Sequence, residues 1–202
     1  MIVKICGITR LEDALVSAEE GAAAVGFIFV RSSPRYIAPD AAAEVIRKLP
    51  PFVCPVGVFV NEARGDVLAT IGQTGIRCLQ FHGEERPSDT AGYPVPVIKA
   101  FHVDEEFDPT VMASYRLPAY LLDTSVAGMH GGTGRTFDWR KALEASHYGR
   151  IILSGGITPE NAAIASRTVR PYAIDVNSGV ESAAGIKDTQ RIRDLFENIR
   201  NA

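Results

Sequence analysis

Two observations predict an α/β chain whose eight parallel strands close into a (β/α)8 TIM barrel. Apolar runs of strand length alternate with helical segments from one end to the other, recurring about every 25 residues, and 202 residues sits at the lower limit of about 200 for that fold. The alternative is an open doubly wound sheet, but such sheets usually carry fewer parallel strands. No Gly-x-Gly-x-x-Gly follows the first strand here either. The same spacing predicts a single domain over residues 1–202.

Each element has its own signal. Residues 3–5 read as a short buried strand ending at Cys6, and Thr9-Arg10-Leu11-Glu12 has the Thr-x-x-Glu spacing of a capping box, which predicts a helix that ends near Gly21. Residues 24–30 are the second strand. A polar loop through Pro34 and Arg35 follows, then a helix with Pro39 in its first turn and Pro50-Pro51 as its stop. Residues 54–60 form the third strand, and a helix of about ten residues runs on to Gly75. Residues 77–83 are the fourth strand with its exit, followed by a short, weakly patterned helix; 96–101 and 119–123 are the fifth and sixth. The stretch 128–134 holds four glycines and no apolar periodicity, so Gly131, Gly132, Thr133 and Gly134 are expected in a mobile loop. Residues 151–156 and 172–177 are strands seven and eight, with Thr158-Pro159 capping the helix between them. Ile192, Leu195, Phe196 and Ile199 recur at three-and-four spacing, the apolar face of a last helix.

Composition narrows the function classes. A chain 46% hydrophobic and 22% charged has the balance of a soluble domain with a sizeable core. Its net charge of −3, with no run of Lys or Arg, provides no footprint for nucleic acid or an anionic membrane surface, so a small-molecule partner is expected. Cys6, Cys54 and Cys78 are odd in number and too widely spaced for a zinc knuckle or a Cys-x-x-Cys pair, which suits reduced thiols in a cytoplasm. No stretch approaches the roughly 18 apolar residues of a membrane span, and the N-terminus lacks the build of a signal peptide. The chain is therefore expected to start at Met1 and stay in the cytoplasm.

Strand parity sorts the residues able to do chemistry. Residues two apart share a face, so Lys4 accompanies Cys6, and Asp175 accompanies Asn177. With Cys6 and Asp123 at the barrel mouth, Lys4 and Asp175 point inward below the rim, and Lys99 is expected to join them as an ion-pair layer. Cys6 is either a packed small hydrophobe or, near Lys4, a thiol whose pKa is lowered far enough to make it a base or nucleophile. Asp123 either caps a turn or, shielded by the glycine loop, keeps its proton as a general acid. Gly155 and Gly156 after strand seven, with Asn177, Ser178 and Gly179 after strand eight, stand where barrels bind phosphate through backbone N–H groups. Arg35 is either a solvated loop residue or a fork for a carboxylate or phosphate, and His82 is a supporting group or a satisfied rim histidine. His102, His130 and His147 have no partners at ligand spacing, so no metal site is argued.

Six stretches in register then carry a resemblance along the whole chain: Lys4-Ile5-Cys6-Gly7, Ser33-Pro34-Arg35-Tyr36, Gln80-Phe81-His82-Gly83, Gly131-Gly132-Thr133-Gly134 leading to Phe137-Asp138-Trp139, Ser154-Gly155-Gly156, and Asp175-Val176-Asn177-Ser178-Gly179-Val180-Glu181. Together they closely resemble the phosphoribosylanthranilate isomerase family, with small departures at Phe81 and Asn177. The resemblance implies a cofactor-free step of tryptophan biosynthesis, the Amadori rearrangement of N-(5-phosphoribosyl)anthranilate. It also implies Asp123 as general acid, Cys6 as general base, Arg35 at the anthranilate carboxylate, the two glycine loops at the phosphate, and the loop through Gly131 as a cover. The residues alone leave open another sugar-phosphate isomerase or epimerase, a binding protein without turnover, and a thiol redox sensor. Monomer and homodimer both stay open.

Overall fold

The computed structural model describes residues 1–123 and 139–201. Eight parallel strands close on themselves in chain order: β1 (Ile2–Ile5), β2 (Ala24–Ile28), β3 (Cys54–Phe59), β4 (Cys78–Phe81), β5 (Val97–His102), β6 (Ala119–Asp123), β7 (Arg150–Ser154) and β8 (Ala173–Val176). Pairing of β8 with β1, in the register Lys4 to Asp175 and Ile5 to Val176, completes the ring and leaves no open edge. Around it run α1 (Leu11–Glu20), α2 (Pro39–Ile46), α3 (Arg64–Thr74), α4 (Trp139–Ala145), α5 (Pro159–Val169) and α6 (Thr189–Arg200). Between β4 and β5, and between β5 and β6, the connections are 3₁₀ turns at Pro87–Thr90 and Pro109–Ser114. A small antiparallel hairpin, β9 (Glu181–Ala183) with β10 (Ile186–Lys187), precedes α6.

Alternation along the strands makes two cores. Val3, Ile5, Val25, Phe27, Leu79, Leu122, Leu153 and Ile174 pack against the helices, whereas Val56, Cys78, Ile98, Ala100, Leu121 and Ile152 fill the barrel. α6 buries Ile192, Leu195 and Phe196 as its spacing requires, with Ile199 partly buried beside them. α1 ends at Gly21 in the left-handed region (φ 115°), and α3 at Gly75 (φ 76°).

Two expectations are corrected here. The capping box at Thr9 does not form: α1 begins at Leu11 with Arg10 as the extended flanking residue, and Thr9 Oγ1 donates instead to Gly185 O at 2.5 Å. That long-range bond removes the hydroxyl from the helix end, while Arg10 Nε reaches Asp13 Oδ2 at 3.0 Å. Lys99 does not enter the barrel. It lies between Ile98 and Ala100, both interior, so its side chain faces outward, where Nζ meets Glu85 Oε2 at 3.2 Å and Gly83 O at 2.6 Å.

Candidate active site

The C-terminal ends of the strands surround a cavity of about 280 Å³. Cys6 enters it from just beyond β1, where its N–H continues the ladder to Val176 O at 2.8 Å. Gly26 makes room for the sulfur, since a Cβ there would lie 2.7 Å from Cys6 Sγ and 3.2 Å from Lys4 Cε. Beneath the thiol, Lys4 Nζ and Asp175 Oδ1 form a buried ion pair at 2.8 Å. Burial works against the Lys4 charge, but Asp175 and the neighbouring thiol outweigh it and hold the ammonium firmly protonated.

The thiol itself behaves contrary to the lowering expected from Lys4. Burial pushes the Cys6 pKa up; Lys4 and Lys187 pull it down and Asp175 pushes it up, and burial prevails. Burial therefore favours the protonated thiol in the free protein.

Asp123 enters the same cavity from the end of β6, with β7 and β8 between it and β1. Its Oδ2 lies 3.2 Å from His82 Nε2, and His82 Nδ1 lies 3.1 Å from Gln80 Nε2. With the Gln80 amide donating to Nδ1, the ring carries its proton on Nε2 and donates to Asp123. Among the described residues Gln80 Oε1 is buried without a partner, a cost that marks this amide as held for the histidine rather than for stability.

Arg35, on the loop after β2, reaches the cavity wall while its Nε and Nη2 are held by Glu181 from β9 at 2.7 to 3.1 Å. That bond keeps the guanidinium pKa up. Burial alone would raise the Glu181 carboxyl, but Arg35 and Lys187 overcome it and hold it below its usual range. On the remaining side stand Gly155, Gly156, Asn177 and Ser178. Gly155 (φ 83°) and Gly156 (φ 66°) take consecutive left-handed conformations that only glycine adopts cheaply. Ser178–Val180 forms the short extra helix, and Gly179 packs behind the cavity wall against Ile157.

The sequence-derived residues Cys6, Asp123, Arg35, His82, Gly155, Gly156, Asp175, Asn177 and Ser178 therefore line one cavity. Lys4 supports it from below. Gly131, Gly132, Thr133 and Gly134 lie outside the described residues.

The model of the N-(5'-phosphoribosyl)anthranilate (PRA) isomerase family matches residues 3–198. The chain belongs to the phosphoribosylanthranilate isomerase family. It is 50% identical over 194 residues to the N-(5'-phosphoribosyl)anthranilate isomerase of Pelobacter propionicus, covering 96% of this chain and 93% of that one. Among solved structures, the phosphoribosylanthranilate isomerase of Thermotoga maritima superposes with a TM-score of 0.91 at 44% identity over the whole of both chains. A phosphoribosylanthranilate isomerase in complex with reduced 1-(o-carboxyphenylamino)-1-deoxyribulose 5-phosphate superposes at 0.87, with 41% identity and full coverage of both chains.

Sequence reasoning within this family pattern assigned no role to Gln80, Glu181 or Lys187. Nothing in the sequence marks Lys187 as buried. Among the described residues no group of three His, Cys, Asp or Glu is placed to hold a metal ion, and no helix is long and apolar enough to cross a membrane.

Proposed function

We propose that this isomerase, one domain over residues 1–202 working in the cytoplasm, converts N-(5-phosphoribosyl)anthranilate to 1-(2-carboxyphenylamino)-1-deoxyribulose 5-phosphate in tryptophan biosynthesis. The observation that carries the reading is one cavity walled by Cys6, Asp123, Arg35 and the glycine loops after β7 and β8. The loops bind the phosphate through backbone N–H groups and Arg35 meets the carboxylate, so the sugar is stretched between two anchors across the acid and the base.

Asp123 gives its proton to the ribose ring oxygen; the ring C1–O bond breaks and the nitrogen lone pair forms the C1–N iminium. Cys6 takes the proton from C2; those electrons make the C1–C2 double bond while the C1–N π pair returns to nitrogen, giving a neutral enaminol. Loss of the O2 proton and protonation of C1 yield the ketone, so the product has the composition of the substrate. His82, donating to Asp123 Oδ2, stabilises the carboxylate left by the first step. Burial favours the thiol form, so the base is the Cys6 thiolate left when that proton passes to solvent, and the iminium formed once Asp123 has opened the ring adds to Lys4 and Lys187 in stabilising that thiolate.

The thiol sensor reading is disfavoured by the same facts: sensor cysteines are exposed and of low pKa, whereas Cys6 is buried and raised. The test is loss of substrate fluorescence on mixing with purified protein. Cys6→Ser and Asp123→Asn are each expected to lower kcat by about 10²-fold or more. Full activity in both would remove the acid–base assignment.

A further inference from the structure

Glu181 takes no part in the acid–base steps, yet its side chain is only 5% exposed and gathers donors from separate parts of the chain. Arg35 approaches through Nε, 2.9 Å from Oε1 and 3.1 Å from Oε2, and through Nη2, 2.7 Å from Oε2. Gly185 N–H donates to Oε1 at 3.2 Å and Lys187 Nζ donates to it at 3.0 Å. The Lys187 ammonium, wholly buried, also reaches Asn177 O at 3.1 Å and Asn177 Oδ1 at 3.0 Å. Gly7 closes the other side: a Cβ there would lie 2.6 Å from Asn177 Oδ1 and 2.9 Å from Arg35 Cδ. The hairpin thus ties the arginine on the loop after β2 to the residue that opens the loop after β8.

Charge decides what such a cluster does. An Arg35–Glu181 pair alone is neutral and presents a carboxylate to any incoming carboxylate. Burial lowers the Lys187 pKa while Glu181 pulls it up, and with Glu181 and both Asn177 oxygens accepting from Nζ the ammonium leaves one net positive charge in the group. Two of the three ion-pairing groups are fixed by the hairpin, and only the guanidinium reaches the cavity wall. A fork held through Nε and Nη2 keeps its plane and, among the described residues, leaves Nη1 uncommitted.

We propose that Glu181 is a positioning residue that fixes the Arg35 guanidinium for an aromatic carboxylate, with Lys187 keeping the cluster cationic, so that the β9–β10 hairpin sets selectivity for carboxylated substrates. This rests on Arg35 being the carboxylate-binding group. Arg35 is a contact residue; Glu181 acts through it.

The experiment compares inhibition by the reduced carboxyphenylamino-deoxyribulose phosphate and by its phenyl counterpart lacking the carboxyl group, in the parent, Arg35→Met, Glu181→Gln and Glu181→Asp. Glu181→Gln adds net positive charge to the cluster, so a purely electrostatic role makes the carboxylated ligand bind more tightly. Positioning makes it bind more weakly. The expected result is a ~10- to 100-fold loss of preference for the carboxylated ligand, with affinity for the phenyl ligand unchanged and serving as the control for folding. Glu181→Asp, which keeps the charge but retracts it by one methylene, is expected to lose the preference too and serves where Glu181→Gln fails to fold. An unchanged or increased preference in these variants overturns the proposal. If Arg35→Met also keeps the preference, the assignment of Arg35 itself is what fails.

Discussion

Asp175 constrains this site from beneath its thiol. Asp175 lies inside the barrel with its Oδ1 on Lys4 and Cys6 directly above, where water is excluded and neither charge tolerates loss of the other. Asp175→Asn leaves the Lys4 ammonium buried without a counter-charge and is expected to destabilise the protein by about 3–5 kcal/mol in denaturant titrations. Lys4→Met has a loss of the same kind, and the double variant should recover much of it; additive losses would show that the two groups are not coupled. The pair also steers the thiol in opposite directions, Lys4 pulling its pKa down and Asp175 pushing it up. A base works deprotonated, so kcat/KM rises with pH through the thiol pKa, and that limb lies above the ordinary value of 9.0 because burial raises it. Lys4→Met moves the limb to higher pH and Asp175→Asn to lower pH. A limb that stays fixed in both variants, or persists in Cys6→Ser, would assign it to another group.

At the level of elements, the two phosphate-side loops depend on one another. Gly179, within the short helix after β8, packs so closely that a Cβ would sit 1.9 Å from Ile157 O and 2.9 Å from Ile157 C on the loop after β7. Gly179→Ala must push backbone from backbone, and Arg191, whose Nε donates to Gly179 O at 2.8 Å, resists the shift. The expected result is a rise in KM of about tenfold or more with a smaller effect on kcat, read from steady-state kinetics. An unchanged KM would detach the loops from substrate anchoring. Such contacts explain which elements could be read from the sequence. The strands announced themselves because a parallel sheet covered on both faces needs near-continuous apolar runs, as in residues 119–123. The turns at Pro87–Thr90 and Pro109–Ser114 had no helical period to find, being too short to present a repeating face. The β9–β10 hairpin was missed because strands of three and two residues carry no usable alternation, and the burial of Lys187 is created by Glu181 and Asn177. Likewise Thr9-x-x-Glu12 has the right spacing for a cap, but a distant carbonyl at Gly185 captures the hydroxyl. Among the residues lining the cavity, Cys6, Asp123 and the glycines stood out as candidates because chemistry in a barrel collects where strands end, whereas Glu181 and Lys187 come from the short hairpin and left no local trace.

For the whole molecule, closure of the barrel has a consequence for stability. A ring without edges keeps water from its interior, and the thiols enclosed there resist ionisation: burial pushes Cys78 up to about 12 and raises Cys54 and Cys6 as well. In the unfolded chain these thiols titrate near 9.0. A group whose folded pKa lies above its unfolded value contributes stability that is fully present below the unfolded value and is lost as pH rises towards the folded one. Stability should therefore hold through neutral pH and decline between about pH 9 and pH 12, the window set by Cys78. Lys4, whose pKa is also raised, acts in the same sense at the upper end. Cys78→Ala removes one of these ionisations at the cost of a small void among Val56, Ile98 and their neighbours. It is expected to be slightly less stable than the parent near neutral pH and to lose stability less steeply above about pH 9, as measured by urea midpoints at several pH values. Parallel declines in the two proteins would mean that the barrel interior is not what limits alkaline stability, and that an outer group such as the Lys99–Glu85 pair breaks first.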